Sequence, residues 1–115
     1  NSPYWRDLGA PWGGAHSTAA DISRFLKAFL HPTGVPVKAE TARRMTANQN
    51  QGLDKPYGIG WAITPGGFGH GGSTGTSCWA DTAKDATFVL LTSLPARASQ
   101  KPVIDPVAAA VRAAL

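Results

Sequence analysis

One cysteine in 115 residues, Cys78, is too few for an internal disulfide, so no covalent staple holds this chain and its redox surroundings stay open. Apolar runs are short as well. Stretches such as Phe88–Leu91 fall far below the roughly 20 residues that a membrane-crossing helix needs, so no membrane span is expected. Charge is sparse at 16% of residues, and the basic residues are scattered, with Arg43-Arg44 the one adjacent pair. Nucleic-acid binders gather Lys and Arg on one face and interleave aromatics, so the net +4 reads as solvated surface charge and no nucleic-acid partner is expected. The three histidines, His16, His31 and His70, lack metal-ligand spacing and have one cysteine to join them, which argues against a zinc site. A P-loop is missing too, because no Gly-x-x-x-x-Gly-Lys-Ser/Thr occurs. No cofactor is implied. Asn1–Arg6 lacks the charged-then-apolar build of a secretory leader, which leaves the compartment unread.

What is present fits one domain with a modest core, 43% of residues being hydrophobic. The organising stretch is Phe68–Ser93. Six of the ten residues from Gly66 to Gly75 are glycine, a density that lets another group lie close to the backbone. A hairpin follows: Thr76–Ala80 and Ala86–Thr92 are rich in β-branched, aromatic or aliphatic residues, and the polar Asp81–Asp85 loops between them.

Upstream, Asn1–Gly14 shows neither helical nor alternating period and reads as an irregular segment pinned by Tyr4, Trp5 and Trp12. Thr18 with Asp21 three residues on predicts a helix N-cap, and Ile22, Phe25, Leu26, Phe29 and Leu30 form one apolar helical face that His31-Pro32-Thr33-Gly34 ends. Lys38 to about Asn48 predicts a second, shorter helix. Tyr57–Ile63 alternates large and small residues like a closely packed strand, and Thr64-Pro65-Gly66-Gly67 turns it. Pro95–Pro102 reads as a link, and Val103–Leu115 as a final Ala-rich helix with Pro106 in its first turn. The expected fold class is therefore α+β, an antiparallel sheet with helices packed on one side of it.

Tyr57-Gly-Ile-Gly-Trp61, then Gly69-His-Gly-Gly-Ser73, Thr74-Gly-Thr76 and the strand Phe88–Thr92 resemble the carboxy-terminal part of serine β-lactamase-like hydrolases. That family holds class C β-lactamases, family VIII esterases, D-alanyl-D-alanine carboxypeptidases and penicillin-binding proteins. Gly13-Gly14-x-x-Ser17-Thr18-x-x-Asp21 with Phe25-Leu26 resembles the same family's run into a helix, so the resemblance covers nearly the whole chain. It implies that residues 1–115 are the carboxy-terminal portion of a β-lactamase/transpeptidase-like fold. The family's Ser-x-x-Lys and Tyr-x-Asn motifs have no counterpart here. The nucleophile and its lysine base are then expected from an upstream part.

On this resemblance His70, Gly71 and Gly72 fall on the family's third motif, usually Lys-Thr-Gly, and the Ser73 amide contributes to an oxyanion hole. Gly71 and Gly72 would let substrate lie against the strand, with Trp61 at the pocket edge. Imidazole in place of lysine removes a permanent cation, which favours an ester, amide or peptide substrate over a β-lactam carboxylate. Ser17, Ser73 and Ser77 are nucleophile candidates by residue type alone, since no Gly-x-Ser-x-Gly elbow occurs. Two rival readings are a non-catalytic binding or accessory module, and a small independent hydrolase using Ser73 with His70. Ala86–Thr92 is expected to be an open sheet edge that pairs with the upstream part or with another copy.

Overall fold

The computed structural model describes residues 2–115. Local chemistry opens its longest helix. The Thr18 hydroxyl accepts from the Asp21 backbone N–H at 3.1 Å and donates to the Asp21 carboxylate at 2.9 Å, so the N-cap expected from sequence starts α2, Ala19–Leu30. Leu26 and Phe29 are buried on its inner face, while Phe25 keeps 47% of its surface exposed. The second helix, α3, is Ala39–Met45, and Ala42 is its buried contact.

Four strands follow, β1 Ala62–Thr64, β2 Gly67–Gly72, β3 Thr76–Asp81 and β4 Ala86–Leu90, in one antiparallel sheet of spatial order β1-β2-β3-β4. Strand side chains alternate between faces. The register aligns Phe68 with Ala80 and Thr87, and His70 with Cys78 and Val89, so these share one face. That face meets α2 and α3 in a core of Leu26, Phe29, Ala42, Trp61, Phe68 and Ala80. Ser23 on α2 and Thr87 on β4 share a hydrogen bond of 2.7 Å across the same contact.

Helices cover both faces, which corrects the one-sided expectation. Trp79 and Phe88, on the second face, stack at 5.0 Å between centroids with 14° between their planes. The guanidinium of Arg112, from the last helix, sits 4.0 Å above the Trp79 ring. Exposing two stacked apolar rings is unfavourable, and the carboxy-terminal helix helps to shield them, with Trp79 8% and Phe88 7% exposed.

Three further expectations are revised. The first segment contains a short helix, α1, Pro3–Asp7, capped by the Ser2 hydroxyl accepting from Trp5 N–H at 3.3 Å; Asn1 lies outside the described residues. Of Tyr57–Ile63, only Ala62 and Ile63 are strand, as the start of β1. Tyr57 and Ala62 form a single bridge, and residues 58–61 between them fold as a tight loop over the end of α3, where the Met45 carbonyl accepts from Ile59 N–H at 2.9 Å. Gly58 is needed there, since a Cβ would lie 2.0 Å from that same carbonyl oxygen. The predicted link is helical as well: α4, Ala96–Ser99, runs through a π-helical turn, Gln100–Ile104, into α5, Asp105–Ala114. Pro102 has no N–H to donate, and a wider turn absorbs that missing bond without ending the helix.

Candidate functional site

β1 is three residues long, and it pairs only with Gly67, Phe68 and Gly69 of β2. His70, Gly71 and Gly72 pair with β3 on one side and have no strand partner on the other among the described residues. The open half borders a cleft of about 1030 Å³. One wall is β2, its turn and β3, presenting His70, Gly72, Ser73, Thr76, Ser77 and Cys78. The facing wall is the segment before α2, with Trp12, His16 and Ser17, together with Ile22 of α2. Thus the two stretches that carried the sequence resemblance, though more than fifty residues apart, meet across one space. A smaller groove of about 390 Å³, bordered by Phe29, Arg43 and Gly66, lies at the opposite end of β2 and contains none of the predicted site residues.

The Nδ1 of His70 is 2.6 Å from the Gly71 carbonyl oxygen. A carbonyl only accepts, so Nδ1 carries the proton and a neutral ring keeps its lone pair on Nε2. Tyr57 meets the same imidazole edge-on at 6.2 Å between centroids. Ser73 borders the cleft, yet the His70 ring makes no hydrogen bond to it among the described residues. No hydrogen bond thus joins Ser73 and His70 as a nucleophile-base pair among the described residues. Cys78, directly across from His70, is half-buried in the wall. Burial pushes its thiol pKa up, a hydrogen bond from the His70 backbone pulls it partly back, and the net shift is upward. A thiol held protonated is a poor nucleophile.

Two predicted contacts with substrate look different in three dimensions. Trp61 is 6% exposed and packs against Phe25, Phe29 and Phe68, with centroids 5.2–5.9 Å away, so it is a core residue and not a pocket edge. Gly71 alternates to the opposite face from His70 and is not part of the cleft lining, whereas Gly72 is. A Cβ on Gly72 would stand 2.3 Å from the Thr76 hydroxyl. His31 is remote from this space and pairs with Asp85 at 2.6 Å.

The apparatus that holds the Ser73 turn escaped sequence reasoning. The Ser73 carbonyl accepts from Ala96 N–H at 2.9 Å, and the Gly72 carbonyl from Gly75 N–H at 3.0 Å. The Thr92 hydroxyl donates to the Gly75 carbonyl at 2.9 Å, and the fully buried Ser99 hydroxyl to that of Pro95 at 3.1 Å. Gly75 has φ of 76°, and a Cβ there would lie 2.1 Å from the Leu94 carbonyl oxygen. The start of α4 therefore sits directly behind the turn. The signal lies in Thr92, at the end of the predicted strand, and in Ser99, within the stretch that reads as a link. His16, which sequence spacing set aside as a metal ligand, also borders the cleft. Among the described residues no three His, Cys, Asp or Glu side chains assemble in a metal-binding arrangement.

With this geometry in hand, the chain can be set beside known proteins. A family model described as Beta-lactamase matches residues 1–113. No curated protein matches the chain. The chain belongs to the beta-lactamase family.

Proposed function

From that membership we propose that this chain supplies the third-motif edge of an acyl-enzyme hydrolase site whose reactive serine and lysine base lie outside these 115 residues. The observation that carries the reading is the half of β2 that β1 leaves uncovered, from which His70 and Gly72 line the cleft of about 1030 Å³. In this reading the serine Oγ attacks the carbonyl carbon of an ester or amide, its proton passing to the lysine. The carbonyl oxygen becomes an oxyanion received by the Ser73 amide and the amide of the attacking serine. The leaving group departs with a proton, and water then cleaves the acyl ester. Losing one such donor costs about 10²–10³ in rate. His70 offers Nε2 to the substrate, its ring held at Nδ1 by Gly71.

The test uses the protein that carries a Ser-x-x-Lys ahead of this chain. His70→Ala is expected to lower kcat/KM by about 10²-fold, the scale of a positioned acid-base group, with little change in the thermal midpoint. Gly72→Val also lowers it, because the new side chain displaces Thr76 and fills the cleft wall. Wild-type rates in both variants would remove this edge from the reaction. The 115-residue chain alone is expected to form no adduct with a fluorophosphonate; a stoichiometric adduct on Ser73 would favour the independent hydrolase. The accessory-module reading draws on the lack of any Ser-x-x-Lys within the sequence, and inactivity of the protein carrying one would favour it.

The partner proposed for β4 is a strand of the upstream part of the same hydrolase, or of a second copy. β4 is the terminal strand of the four, and Thr87–Thr92 has neither charge nor proline to deter pairing. Light scattering after size exclusion reads this out. A dilution-resistant monomer of this chain, with slowly exchanging Phe88–Leu90 amides, would count against an open edge.

A further inference from the structure

We infer that the wall of the cleft facing β2 is a subsite for the uncharged aryl or extended acyl part of an ester, with Trp12 as its stacking surface. The inference rests on the hydrolase reading above and names its substrate class. Charge comes first. The chain has 11 Lys and Arg and 7 Asp and Glu, yet among the described residues none of these lines the cleft. The part of a substrate lying on these residues would meet no permanent charge from this chain, so an uncharged group suits it better than a carboxylate.

The two walls then differ in chemistry. The β2–β3 side presents hydroxyls, those of Ser73, Thr74, Thr76 and Ser77, which suit a polar carbonyl group. The other side carries the apolar and aromatic Trp5, Trp12 and Ile22 beside His16 and Ser17. Trp12 keeps 78% of its surface exposed, whereas tryptophan is highly buried on average. Its exposure comes from a fastened turn and not from a loose end. The carbonyl of the buried Ala10 accepts from Gly13 N–H at 3.3 Å and from Gly14 N–H at 2.8 Å. Trp5 Nε1–H donates to the Gly13 carbonyl at 3.2 Å, and a Cβ on Gly13 would be 3.3 Å from the Trp5 ring. His16 borders this wall with Nδ1 3.0 Å from the Gly14 carbonyl, so Nδ1 carries the proton there as well. At about 1030 Å³ the cleft reaches the upper end of small-molecule sites, far more room than an acetyl group fills. An ester with its carbonyl at the His70–Ser73 edge would lay a ring across Trp12, where face contact adds to the area buried.

The decisive measurement compares p-nitrophenyl phenylacetate with p-nitrophenyl acetate in the protein carrying the Ser-x-x-Lys part. Trp12→Ala is expected to lower the ratio of their kcat/KM values by about tenfold, the scale of lost apolar contact in a specificity pocket, and Trp12→Phe to retain most of it. An unchanged ratio in both variants overturns the subsite. A second readout needs no turnover: in ¹H–¹⁵N spectra the Trp12 indole signal is expected to move on titration with neutral phenylacetamide and less with phenylacetate anion. No movement with phenylacetamide, or equal movement with the anion, also overturns it. A Trp12 shift by phenylacetamide in a protein that cleaves no ester would retire the hydrolase reading and leave the subsite standing.

Discussion

Gly67–Gly69 and His70–Gly72 are the two halves of β2, built from the same sparse vocabulary of glycine and one large residue each, and they face different surroundings. In the first half Phe68 is 3% exposed, stacked edge-on against Trp61 at 5.2 Å, and β1 closes the outer side. In the second half His70 is exposed and no strand closes that side among the described residues. The glycines do separate jobs accordingly. At Gly69 a Cβ would stand 2.8 Å from that of Trp79, a packing demand, whereas at Gly72 it would intrude on a hydroxyl at the cleft wall. One strand thus carries a half anchored in the core and an uncovered half, and mutation should separate the two.

The largest expected effect is on the anchored half. Phe68→Ala should cost about 3–5 kcal/mol, the range for emptying a buried aromatic site, measured by denaturant unfolding. A loss below about 1 kcal/mol would show that the core does not rest on this strand. Gly75→Ala comes next. Its φ of 76° and the Leu94 oxygen 2.1 Å from a new Cβ both oppose it, so a loss of about 2 kcal/mol is expected, and an unaffected unfolding midpoint would contradict the packed turn. In the open half, His70→Ala should change stability by less than about 0.5 kcal/mol, as for an exposed side chain outside the core. A destabilisation comparable to that of Phe68→Ala would erase the distinction between the halves.

The smallest effect tests the border between them. The upward shift at Cys78 means that its thiolate fraction is reduced at neutral and mildly alkaline pH, and that it recovers as pH rises through the raised folded value. Iodoacetamide should therefore alkylate folded Cys78 more slowly than the unfolded chain at pH 8. The gap should narrow as pH increases. Equal rates in folded and unfolded protein at pH 8 would show that the wall does not desolvate the thiol.

Legibility followed the range of the forces involved. α2 could be read because its cap and its apolar face are local: Thr18 and Asp21 are three apart, and Leu26 and Phe29 repeat with the helix. The β3–β4 hairpin was equally plain from its β-branched and aromatic runs flanking a polar loop. Tyr57–Ile63 misled because alternating glycines suit a packed strand and a tight loop alike, and the Met45 carbonyl that selects the loop belongs to another element. Ser2-Pro3, a cap followed by proline at the first helical position, did announce α1, but the prolines and glycines around it masked so short a helix. Proline likewise hid the helical stretch from Ala96 to Pro102, ahead of the final helix that the sequence does show.

What the sequence determined by itself was the class of the molecule and a candidate motif: an α+β chain with an antiparallel sheet, and a glycine-lined His70-Gly71-Gly72 run leading into Ser73. These depend on period, capping and spacing, which act over a few residues. Tertiary structure decided which of those residues share a space. It moved Trp61 into the core, put Gly71 on the far face of the sheet, and brought Trp12 and His16 opposite His70. The physical reason is that burial and strand pairing are settled between distant segments. Three residues of β1 end beside Gly69, and that one length leaves the rest of β2 open.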